Sequence, residues 1–145
     1  LSPFIEKAAW PIFVREPYGW DRQRGGIILY TAIVDWETHR LAQSLGQINS
    51  PDPFRPDRLS TYPARALDAL WNTSESVSVD LQTQDESVAL ITFIVEKYGD
   101  QAVAKLLNSI GNAPSLSKVI ETSLGIQYSD FEQSWYDWLK QYRAD

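Results

Sequence analysis

The sequence predicts an all-α protein, a single domain of six or seven helices. Apolar residues recur at intervals of three and four along most of the chain, which is the period of an amphipathic helix. Glycine follows several of these stretches where a helix would need a left-handed terminal residue. A chain of 145 residues with 43% hydrophobic content can bury one core, so we expect residues 1–145 to form one domain.

The N-terminal part is predicted to be irregular over residues 1–26, with a short helix interrupted around Pro11. A long amphipathic helix follows over residues 27–45 and ends at Gly46. Its predicted core-facing stripe is formed by Ile27, Tyr30, Ile33, Val34, Leu41 and Leu45.

The middle of the chain begins with residues 47–61, which contain three prolines and are predicted to form a rigid exposed loop. Another helix is predicted to begin near Pro63, where proline suits the first turn. Any strand is confined to residues 76–81.

The second half of the chain is predicted to contain four helices, at about residues 84–98, 101–110, 115–124 and 129–142. Each is preceded by a residue pattern that favours a helix N-terminus. In chain order these patterns are the Thr83-x-x-Glu86 capping box, Asp100, Pro114-Ser115 and the Ser129-x-x-Glu132 capping box, and glycines 99 and 125 end two of the helices.

The last helix carries a stripe of large apolar residues along one side. We predict that this stripe is a seam of the core, which is more common for such a pattern than a binding platform. Its members are Phe131, Trp135, Trp138, Leu139 and Tyr142.

Residues 83–143 carry four features in a fixed order: a helix ending Tyr98-Gly99, a leucine-containing helix over 103–110, a helix ending at Gly125, and a final Glu132-x-x-Trp135. This order resembles the C-terminal helical region of gluzincin metallopeptidases of the peptidase-MA-like group. The resemblance implies a fold like the C-terminal subdomain of a zincin.

A second segment, residues 10–20, is similar to the Pro-x-Trp-Leu-x-Glu-Gly segment that supplies a glutamate metal ligand in that family. The resemblance places Glu16 at the ligand position, although Phe13 and Pro17 replace the tryptophan and the glycine. Glu16 beside Arg15 also fits an ordinary exposed turn, and we favour the turn.

The zinc chemistry of such enzymes needs two histidines at i and i+4 on one helix face and a glutamate after the first. Only the segment DWETH has this spacing here, with Asp35 at the first ligand position, Trp36 at the general-base position and His39 at the second. A tryptophan cannot accept a proton from a zinc-bound water. We therefore assign no catalytic residue and no metal site to this chain.

Asp35, Glu37 and the single histidine, His39, leave two interpretations open. They form either a residual metal or anion site or the solvated face of a helix, on which His39 pairs with Asp35. We favour the solvated face. Four tryptophans also leave two interpretations open: they line an aromatic groove for a sugar or peptide, or they lie in the core. We favour the core. These residues are Trp10, Trp20, Trp36 and Trp71.

Composition excludes several classes of function. The net charge of −6 without a basic run argues against nucleic acid, because phosphate binding needs a basic face. The absence of cysteine excludes disulfides and thiol chemistry, and no apolar stretch is long enough to span a membrane. The compartment and the oligomeric state stay open. A chain that begins LSPF and has no methionine is expected to be a trimmed product or part of a longer protein.

These observations predict a non-catalytic helical domain related to gluzincin metallopeptidases, acting as a scaffold or as a module that binds a peptide or protein, without a cofactor. One alternative is a fragment of an active zinc metallopeptidase whose His-Glu-x-x-His helix lies outside this chain, and only this alternative would require zinc. The second alternative is an unrelated all-α protein-interaction domain.

Overall fold

A computed structural model describes residues 24–56, 59, 81–110 and 113–144. These residues contain helices and connecting segments and no strand, which confirms the all-α prediction for this part of the chain. Residues 1–23 and the helix predicted near Pro63 lie outside the described residues. The helices are α1 (Arg24–Ser44), α2 (Leu81–Tyr98), α3 (Gln101–Ile110), α4 (Leu116–Leu124) and α5 (Tyr128–Ala144).

The five helices share one hydrophobic core. Helix α1 packs against α2 and α3, α2 also packs against α5, and α4 packs against both α3 and α5. Burial of a leucine or isoleucine side chain contributes about 1.5–3 kcal/mol, so the core is the main stabilising feature. The fully buried aliphatic residues include Leu29 and Ile33 of α1, Leu90, Ile91 and Ile94 of α2, Leu106 and Leu107 of α3, and Leu116, Val119 and Ile120 of α4.

The aromatic stripe of α5 faces α2, as predicted for a core seam. Phe131 and Trp135 are fully buried, and their ring centroids lie 5.5 and 5.4 Å from that of Phe93. The described residues offer no acceptor to the Trp135 indole N–H, so packing alone holds that ring. Trp138 also contacts Phe93, at 5.6 Å, but stays partly exposed.

The predicted helix ends are confirmed at three glycines. Gly46, Gly99 and Gly125 have φ values of 72°, 89° and 68°, which residues with a Cβ rarely adopt. The start of α4 is also as predicted, because the Ser115 hydroxyl accepts a hydrogen bond of 3.2 Å from the backbone N–H of Lys118.

Both predicted capping boxes are displaced from the observed helix starts. Helix α2 begins at Leu81, so Thr83 lies inside the first turn, where it is buried together with Glu86. Helix α5 begins at Tyr128, whose backbone N–H donates to the Glu121 carboxylate at 3.1 Å. Tertiary contacts with these first turns thus override the local signals that the sequence carries.

Two expectations about exposure are corrected. The loop predicted over residues 47–61 is anchored in the core, because Phe54 is only 4% exposed and Leu59 is also buried. In contrast, Leu41 and Leu45 of the predicted α1 stripe are 54% and 62% exposed. Leu41, in the last turn of α1, and Leu45, just after the helix, are therefore apolar side chains that the described core does not cover. No helix in the described ranges is long and apolar enough to cross a membrane.

Candidate functional site

The acidic residues and the histidine predicted as a candidate site lie along the second half of α1. Asp35 is exposed, whereas Glu37 and His39 are partly buried. Among the residues that the structure describes, no three His, Cys, Asp or Glu side chains come together as a metal-binding group. Glu16, the other candidate, lies outside the described residues.

These side chains do not pair with one another as expected for a solvated face. In the described ranges no ion pair joins His39 to Asp35, and Glu37 instead accepts a hydrogen bond of 2.6 Å from Arg40 Nη2. The Nε2 atom of His39 is buried without a hydrogen-bond partner there. Partial desolvation of the Asp35 carboxyl raises its pKa above the ordinary value.

Arg40 organises the adjacent surface of α1. Its guanidinium carbon lies 4.4 Å from the ring centroid of Trp36, within the range of a cation–π contact. Its two Nη atoms reach Glu37 at 2.6 Å and Asp100, just before α3, at 3.0 Å. We call Trp36, Glu37, Arg40 and Asp100 the Arg40 cluster.

Trp36 itself is a core residue and is only 7% exposed. One face of the indole is therefore covered by the guanidinium of Arg40, and the rest packs in the interior. The other three tryptophans of the predicted aromatic groove, at positions 10, 20 and 71, lie outside the described residues.

A different surface of the molecule forms a groove between α2 and α5. It has a volume of about 410 Å³ and opens to solvent. We call it the Trp138 groove; its lining residues are Phe93, Glu96 and Lys97 of α2 and Ser134, Asp137, Trp138 and Gln141 of α5.

The indole of Trp138 is held in a defined orientation. Its Nε1–H donates a hydrogen bond of 2.7 Å to Glu96 Oε2 across the two helices. The ring stacks on Trp135 with a centroid distance of 5.5 Å and an interplanar angle of 18°. Phe54, from the loop after α1, contacts the ring at 6.2 Å. The side chain therefore presents a fixed, partly exposed aromatic surface to the groove.

The charges around the groove are mixed and mostly acidic. Glu96 and Asp137 contribute two carboxylates, and Asp137 Oδ1 accepts a hydrogen bond of 3.1 Å from Gln133. Lys97 contributes one ammonium group, which lies 5.9 Å from the ring centroids of Phe93 and Tyr98. Lys97 forms no ion pair within the described part of the chain.

A second depression, of about 440 Å³, lies between α3 and α4. Its buried hydroxyls both bind to α3: Ser109 and Ser123 each donate to the carbonyl of Lys105 at 3.1 Å, and the two hydroxyls are 3.0 Å apart. These contacts fasten α4 to α3. They leave the polar groups satisfied, so we assign this depression a structural role.

Sequence patterns did not single out the Trp138 groove. Trp138 was predicted as part of the core stripe, and Glu96, Lys97 and Asp137 carried no signal of their own. The spacing of Ser134, Asp137, Trp138 and Gln141 does place them on one helix face. The sequence does not show that this face packs against the end of α2.

Comparison of the chain with known proteins gives no match. No protein-family model, no curated protein and no solved structure matches it. The resemblance to gluzincin metallopeptidases therefore rests on the motifs in residues 83–143 and 10–20 alone, and the Trp138 groove is argued from its own geometry.

Proposed function

We propose that this chain is a non-catalytic helical domain that binds a partner polypeptide in the Trp138 groove. The observation that carries the proposal is the fixed, partly exposed indole of Trp138, which donates to Glu96 at 2.7 Å and stacks on buried rings. A tryptophan held in this way loses little conformational entropy when a ligand packs against it, which favours binding.

The size and lining of the groove suit a peptide side chain. Its volume of about 410 Å³ lies in the range of ligand-binding clefts, roughly 300–1,000 Å³. Tryptophan is enriched among residues that dominate binding energy at protein interfaces. The surrounding Ser134, Asp137 and Gln141 offer hydrogen-bonding groups at the rim, where they would fix the register of a bound chain.

A relationship with the C-terminal region of gluzincin metallopeptidases is part of this proposal. It is supported by the helix α2 ending at Tyr98-Gly99 and by the terminal helix with Glu132-x-x-Trp135. The domain would keep the helical region and act without catalysis. One zinc ion per purified chain, together with peptide cleavage that a chelator abolishes, would contradict this part of the proposal.

Peptide selection tests the binding function directly. A random heptapeptide display library is panned against the protein, and enriched peptides are then measured against two variants. Ser134→Trp places a large ring in the groove, whereas Ser129→Trp adds the same ring on the exposed first turn of α5. We expect binding to be lost in Ser134→Trp and retained in Ser129→Trp. Failure to enrich any peptide, or equal binding by both variants, would refute the proposal.

A second candidate function is that the chain forms part of an active zinc metallopeptidase. The exposed Leu41 and Leu45 favour it, because two leucines one turn apart suit a contact with a further part of a larger protein. The parent open reading frame decides between the candidates. A His-Glu-x-x-His motif before Leu1, with zinc bound by the full-length protein, would favour the peptidase.

A further inference from the structure

We draw no further inference here: the strongest candidate, the exposed apolar surface patch formed by Leu41 in the last turn of α1 and Leu45 just after that helix, carries none because nothing in the described part of the chain shows what covers it.

Discussion

The Arg40 cluster and the Trp138 groove place similar groups on two surfaces with different consequences. Each combines an indole with two carboxylates, and the first also includes an arginine, Arg40. There the indole of Trp36 is buried, whereas Trp138 stays partly exposed. The same chemistry thus stabilises the contact of α1 with the start of α3 and leaves a surface open between α2 and α5.

This difference teaches that the role of such a group depends on how far its indole is buried. In the Arg40 cluster, the arginine binds the indole and both carboxylates and so links α1 to the start of α3. Where the indole stays partly exposed, as at Trp138, part of the ring faces solvent. The two surfaces are separated along the chain by only a few residues, because Glu96 precedes Gly99 and Asp100 follows it.

The largest expected effect comes from the two tryptophans. Trp36→Ala should lower the free energy of unfolding by about 3–5 kcal/mol, because it removes a buried ring and leaves a cavity. Trp138→Ala should cost clearly less, about 1–2 kcal/mol, because the ring is partly exposed. Urea unfolding followed by far-UV circular dichroism measures both. Equal losses would mean that Trp138 is as much a core residue as Trp36.

The next effect concerns the glycine between the two surfaces. Gly99 has φ of 89° and an added Cβ would meet no atom within 4 Å, so only the backbone opposes a side chain there. Gly99→Ala should therefore cost roughly 1–2 kcal/mol of stability. Gly99→Asn is the matched control and should cost less, because asparagine tolerates the left-handed conformation better. Thermal unfolding of both variants checks the order, and an alanine variant as stable as the wild type would contradict it.

Removal of the internal cation tests the structural role of the Arg40 cluster. Arg40→Ala should lower stability by about 0.5–1 kcal/mol, a small effect because its side chain is 46% exposed and solvent screens the ion pairs. A double-mutant cycle with Asp100→Ala measures the coupling across α1 and α3. Lys118→Ala, an exposed cation of α4, is the control and should change stability by less. A coupling of zero would show that the pair with Asp100 contributes nothing.

The smallest effect concerns Asp35, the carboxylate next to Trp36. Partial desolvation raises its pKa in the folded state, so the ionised form is destabilising at pH values above that pKa. This cost disappears as the pH falls below the pKa of the unfolded state, where both states are protonated. Because Asp35 is exposed and solvent screens its charge, Asp35→Asn should raise stability only slightly at neutral pH, by less than about 0.5 kcal/mol, and match the wild type in acid. A variant less stable than the wild type at neutral pH would contradict this.

Much of the fold in the described residues was predictable from local patterns. The helical period and the glycines at 46, 99 and 125 located the helices to within a few residues, because a left-handed glycine ends a helix whatever it packs against. Exposure was harder to predict. Phe54 lies in a proline-rich loop yet packs against Trp138, and Leu41 has the spacing of a core residue yet is exposed.

The candidate site was less accessible to sequence reasoning. His39 and its acidic neighbours attracted attention because of residue type and spacing, but the structure pairs Glu37 with Arg40 instead. The Trp138 groove depends on a hydrogen bond between residues 96 and 138, which are 42 positions apart. No local pattern encodes a contact at that separation.

In the described residues, the sequence by itself determined the helical class, the C-terminal ends of helices at glycines 46, 99 and 125, and most of the apolar positions that form the core. These features depend on the spacing of apolar residues, on helix propensity and on the backbone geometry of glycine, all of which act within a few residues. Only the tertiary structure decided which tryptophan is buried, which carboxylates meet an arginine and where a groove opens. Those outcomes depend on how helix faces distant in the chain are brought together, because burial and pairing energies arise only from contacts between them.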